Sequence, residues 1–185
     1  MDKTKFEDLF GDPLYWKEKA IRQIYSANIL HEQLQKLLLN SNLWNQEDDQ
    51  HFISLMDSFF LLTSLSFENL IKGLIVSKEL RIADRKVYER KYGFSFNHNL
   101  SKMFHQNFRK LSQVELELII RLQDYLHWMS KYPVPLEKHL EKDVYHGYKH
   151  TDPEIIANIQ KELFESIDNN VDKDVFTYLT KRNLS

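Results

Sequence analysis

The chain has 185 residues, is 42% hydrophobic and 28% charged, and carries a formal net charge of −2, the balance of one folded domain rather than a disordered chain. With no Cys it excludes disulfide frameworks, thiolate zinc sites, iron–sulfur clusters and cysteine nucleophiles. Four Gly and four Pro are too few for a many-turned all-β fold, and the near-neutral charge gives nucleic acid no global attraction, so such a role needs a local basic patch.

Met1 to Phe10 mixes charged and aromatic residues without an apolar run, which is not the pattern of a signal peptide. A first helix is predicted from Asp12, a capping residue, with Pro13 at its first position. Ala20, Ile24, Ala27, Leu30, Leu34, Leu37 and Leu38 then recur at helical spacing up to a stop at Asn40-Ser41-Asn42. A second, longer helix is predicted from about Asp48 to about Leu80, with a broad apolar face that includes Phe52, Leu55, Met56, Phe59, Leu62, Leu65, Leu70 and Leu74. Its Ser64, Ser66 and Gly73 are small enough for close approach by a neighbour. Phe59 to Val76 is the most apolar stretch of the chain, but Glu68, Asn69 and Lys72 interrupt it and make it a poor membrane span. The expectation is a soluble, cytoplasmic protein with no membrane partner.

Lys78, Arg81, Arg85, Lys86, Arg90 and Lys91 follow, against Glu79, Asp84 and Glu89. A solvated connection is the default for such a run, and contact with nucleic acid through segment 78–91 is the functional alternative. Asn97-His98-Asn99 reads as a helix start, followed by Leu100, Met103, Phe104 and Phe108. Ser112 and Glu115 form a capping-box pattern ahead of Ile119, Leu122, Leu126 and Met129. Tyr132-Pro133-Val134-Pro135 ends that helix, and Leu136 to His150 reads as a long structured loop. Thr151, Pro153 and Glu154 signal another helix, carrying Ile155, Ile156, Ile159, Leu163, Phe164 and Ile167. A separate short helix from about Asp172 to Lys181 closes the chain. The predicted fold is all-α, one up-and-down bundle of four to five main helices over 1–185, with mobile ends at 1–11 and 183–185.

Glycine-rich phosphate loops, the paired-His metalloprotease pattern, the dinucleotide fingerprint and a serine nucleophile elbow are absent. His146 and His150 are four apart, but Gly147 lies between them and no third ligand is marked by spacing, so neither a metal nor a cofactor is expected. Arg121 and His127 are a candidate pair for acid–base chemistry on RNA, the imidazole moving a proton and the guanidinium holding a phosphate. With seven Arg and eight His in the chain, roughly one such pair arises by chance. On one α-helix, positions six apart also point about 120° away from each other. Glu68 and Lys72 are spaced for an exposed ion pair, and together with Asn69 they are the alternative, a polar cluster lining a groove between helices.

The segment Ser66-Phe67-Glu68-Asn69-Leu70-Ile71-Lys72-Gly73-Leu74-Ile75 resembles the helix of HEPN domains that carries a glutamate, a small gap and a leucine-lysine pair. His98-Asn99-Leu100 with Lys102-Met103 resembles the element that opens the next helix there, with Asn99 where an acidic residue is usual. Tyr125 and Lys131-Tyr132-Pro133 resemble the closing Tyr…Arg-Tyr-Pro element, with Lys131 in place of Arg. The three occur in family order over about Phe52 to Pro135. The resemblance implies a helical bundle, frequent homodimers, and a place among ribonucleases, their inactive relatives and nucleotide-linked proteins of toxin–antitoxin and defence systems. Its ribonuclease motif, an Arg followed after four to six residues by His, is met only by Arg121 and His127, upstream of Lys131-Tyr132-Pro133. The helix read from Thr151 to Ile167, where the family pattern would place the pair, has neither residue type.

The leading expectation is thus a HEPN-like homodimer that takes RNA or a nucleotide. Arg121 and His127 are its candidate catalytic residues, and Glu68, Asn69, Lys72, His98, Lys131 and Tyr132 its candidate binding residues. The alternative is a non-enzymatic module whose aromatic-rich helices hold a protein partner. Ligand binding predicts that Lys72, His98 and Lys131 line one concave pocket, and an interaction module scatters them around an apolar patch.

Overall fold

The computed structural model describes residues 11–39, 45–78, 99–129 and 147–182, with side chains to residue 171. His98, Lys131, Tyr132, His146, segment 79–91 and most of the predicted 136–150 loop lie outside these. The described elements are α1 (Pro13–Leu39), α2 (Gln46–Lys78), α3 (Leu100–Asn107), α4 (Gln113–Asp124), a π-helical turn (Tyr125–Met129) and α5 (Asp152–Arg182), with no strand among them. The predicted all-α bundle is the fold observed.

The helix starts follow from local chemistry. Asp12 accepts the Leu14 amide at 2.9 Å ahead of Pro13, as its capping role requires. The second helix begins earlier than Asp48. Asn45 is the cap, accepting the amides of Glu47 (2.8 Å) and Asp48 (3.2 Å), while the Asp48 carboxylate reaches back to the Asn45 amide at 3.0 Å. Asp48 is therefore the third residue of a reciprocal cap rather than its first. Asn99 caps α3 through the Lys102 amide at 2.9 Å. The Ser112–Glu115 capping box forms as predicted, with Ser112 N donating to Glu115 at 2.7 Å.

α1 and α2 make the long hairpin that dominates the bundle. Trp16, Ala20, Ala27 and Leu34 form the buried stripe of α1. α2 is long and apolar enough to cross a membrane by length and composition, yet 78% of its most apolar window is buried inside the bundle. Phe60, Phe67, Leu70 and Ile71 of α2 are fully covered by Leu100 and Phe104 of α3, Leu118 and Leu122 of α4, and Ile159, Leu163 and Ile167 of α5 within one continuous core.

The small residues of α2 sit at its closest contacts. A Cβ on Gly73 would lie 3.3 Å from the Pro13 carbonyl, the Trp16 Cβ and the Ile167 Cδ1, so α1 and α5 both press on this position. Ser64 Oγ lies 2.7 Å from the Leu122 carbonyl of α4 and 2.5 Å from Phe60 O of its own helix. Ser66 Oγ accepts from Gln160 of α5 at 3.4 Å.

One expectation about helix number is corrected. The two C-terminal helices predicted from Thr151 and from Asp172 are one 31-residue helix, α5. Nothing between Ile167 and Asp172 breaks it, because Asp168, Asn169, Asn170 and Val171 are tolerated in a helix interior, unlike Pro.

Candidate functional site

The sequence-derived candidates fall into two separate places. Glu68, Asn69 and Lys72 project from α2 toward the N-terminal half of α1. Glu68 is 5% exposed and receives the half-buried Lys72 ammonium, so the acid of the pair expected at the surface lies inside the bundle. The Lys72 Nζ also sits 5.3 Å above the centre of the Trp16 ring, and the Asn69 amide donates to Gln23 Oε1 at 2.6 Å. Covering a polar triad with an indole and an amide satisfies groups that an apolar helix face would leave stranded. Lys17 and Asp168 form a further ion pair between α1 and α5.

Arg121 lies elsewhere, on the buried face of α4 at 5% exposure. Its two terminal nitrogens grip Asp152, the first residue of α5 and fully buried, at 2.8 and 2.5 Å. The nitrogen that donates at 2.8 Å also donates to the Gly147 carbonyl at 3.0 Å. The same Asp152 carboxylate accepts the Lys149 amide at 2.8 Å. Arg121 Nε is buried with no hydrogen-bond partner among the described residues. This two-pronged pair fixes the 147–152 segment to α4. His127 lies six residues on, half-buried in the π-helical turn.

The clamped segment carries Tyr148 onto the hairpin. Its hydroxyl is 2.8 Å from His31 Nε2, and the His31 ring stacks on Phe59 at 5.3 Å. Burial pushes the His31 imidazole below its ordinary value, with Glu32 opposing. Burial and the Asp152 charge push the Tyr148 phenol up. His150 packs edge-on against Tyr148, and no group of three metal-ligating side chains occurs among the described residues.

A concave site does exist, at the corner where the ends of α2 and α3 meet the middle of α5. This groove of about 470 Å³ is lined by Leu74, Lys78, Gln106, Asn107, Phe108, Arg109, Glu162, Ser166, Asn169 and Asn170. Lys78 caps the carbonyl end of α3 by donating to Asn107 O at 2.5 Å, and partial burial pushes its ammonium below the ordinary value. Arg109 holds the rim in place. It pairs with Glu115 at 2.7 Å and with Glu162, joining the α3–α4 connection to α5. The hydrogen bond from Arg109, with those from Ser112, pulls the Glu115 carboxyl down to about 2.

Lys72 is not among the lining residues, and Lys78, the start of the basic run, is the only polar groove residue marked in the sequence, beside the apolar Leu74 and Phe108. The amides were missed. Their one sequence signal is Asn169-Asn170 on the helical register of α5, where two poor helix formers have no capping role to play. Comparison with family models, with curated proteins and with solved structures gives no match for this chain.

Proposed function

We propose that the chain is a HEPN-like helical protein that binds RNA or a nucleotide without cleaving it. The observation that carries this reading is the fate of Arg121. A guanidinium that stabilises charge building on a phosphate must present its N–H groups to the substrate. Three of the five N–H groups of Arg121 are instead held by Asp152 and Gly147 inside the bundle, and the side chain that carries the other two is 6% exposed. Its charge is neutralised where RNA does not reach. With the one motif-matching Arg committed to the fold, the Arg–His pair that the resemblance requires has no guanidinium presented to a substrate. Binding is supported by the groove, whose Lys78, Asn107, Asn169 and Asn170 offer a cation and amides at a concave surface.

The test incubates the folded protein with an end-labelled RNA pool, with and without chelator. RNA retained by the protein and recovered intact is the expected outcome. Chelator-resistant cleavage that disappears in His127→Ala would overturn the non-catalytic reading.

A second reading, a module that pairs with another protein, is favoured by the outer face of α1. Leu14 (45%), Ile21 (47%), Tyr25 (69%) and Ile29 (45%) are exposed there at helical spacing. Sedimentation of the wild type beside Tyr25→Asp tests it: self-association lost in the variant supports pairing through α1, and a monomer in both opposes a homodimer through this face.

A further inference from the structure

The hydrogen-bond inventory of the α2–α3–α5 groove narrows what fits it. Asn107 donates its side-chain N–H to the Met103 carbonyl at 3.0 Å. Ser77 gives its proton to Leu74 O at 2.8 Å, so its oxygen can only accept, and it accepts from Asn170 Nδ2 at 3.1 Å. Both asparagines therefore keep an amide oxygen with no partner among the described residues. Gln106 and Asn169 are exposed on the lining and retain a full amide, a donor beside an acceptor. Among the described residues Lys78 donates only to Asn107, which leaves two of its N–H groups. Arg109 is not available, since Glu115 and Glu162 hold it.

That set rejects simple ions. A bare anion would meet the asparagine oxygens and the Glu162 carboxylate, and a bare cation would meet Lys78. A fitting ligand carries N–H donors at one end and an anionic group at the other. A planar, amino-bearing heterocycle also uses the amides, because Asn and Gln pair in two-pronged fashion with an adenine edge. A volume of about 470 Å³ is within the range of small-ligand sites.

We infer that this groove is a nucleotide subsite, taking an adenine-type base against the Asn and Gln amides and its phosphate on Lys78. The inference rests on the RNA- or nucleotide-binding reading above and specifies where and what it binds. The unit has two sources, a free mononucleotide or one residue of single-stranded RNA.

Calorimetric titration of the full chain with 5′-AMP, UMP, inorganic phosphate and a short oligoadenylate tests it, beside Lys78→Met and Asn169→Ala. Both substituted side chains are exposed, and far-UV circular dichroism checks that each variant is folded. The expected result is saturable binding of AMP or oligoadenylate, about tenfold or more weaker in each variant, with UMP and phosphate weaker than AMP. AMP binding stronger than or equal to that of oligoadenylate identifies the free nucleotide as the source, and binding of oligoadenylate alone identifies RNA. Oligoadenylate binding that both folded variants retain would overturn the groove assignment and leave the RNA-binding reading standing. UMP binding as tightly as AMP would overturn the base assignment, and no binding of AMP or RNA would overturn both readings.

Discussion

Replacing Asp152 with Ala removes a carboxylate that accepts three N–H groups, two from Arg121 and one from Lys149. The guanidinium left behind is 5% exposed and has no second acid among its hydrogen-bond partners in the described residues. Stranding a buried charge in this way costs about 3–5 kcal/mol, against a typical total stability of about 5–15 kcal/mol. In a chain of this size that corresponds to a fall in Tm of about 6–20 °C. Thermal and urea unfolding followed by circular dichroism measures it. The companion cycle uses Arg121→Met, Asp152→Leu and their combination, with a coupling of about 2 kcal/mol or more expected because the double variant leaves no unpaired charge. A loss below about 1 kcal/mol in Asp152→Ala would refute the reasoning, since it would mean that Arg121 is solvated and free for other work.

Further outcomes follow from other contacts. The Glu115 carboxyl is held at about 2, below its ordinary value of 4.5, chiefly by its hydrogen bond to Arg109; its stabilisation is therefore present above about pH 4.5 and lost as pH falls through about 2. Glu115→Gln should melt below the wild type at pH 7, by no more than about 1 kcal/mol for a partly exposed pair, and the two should converge near pH 2; a gap that persists there would contradict the assignment. Gly73→Ala should change stability by less than about 1 kcal/mol, the gain in helix propensity offsetting 3.3 Å contacts. Gly73→Val should lose about 1–3 kcal/mol by overpacking against Trp16 and Ile167, and chemical unfolding that tolerates Val would show that the helices do not close on this position.

Local signals were the legible part of the fold. The Ser112–Glu115 box and the Asp12-Pro13 start are short-range hydrogen-bond patterns, and residues within a few positions decide them. The Asn45 start was displaced by three residues because Asp48 is also a good cap by type, and only the reciprocal bonds separate the two roles. The Glu68–Lys72 spacing reads the same on a wet helix face as on a buried one. What buries it is Trp16, 52 positions from Glu68 in the chain. Arg121 presented a motif-like spacing to His127, while its actual partner, Asp152, is 31 residues away. The groove joins Lys78, Asn107 and Asn170 from three helices, and no periodicity within one segment marks such a meeting.

On the proposed reading this chain binds RNA or a nucleotide and leaves it whole, with Arg121 serving the fold. The most direct measurement is a fluorescence-anisotropy titration of labelled single-stranded RNA, with the bound RNA then recovered and sized on a denaturing gel. The expected result is saturable binding that weakens with added salt and RNA of unchanged length. Shortened RNA, or no binding of RNA or of AMP in a parallel titration by protein shown to be folded, would contradict it.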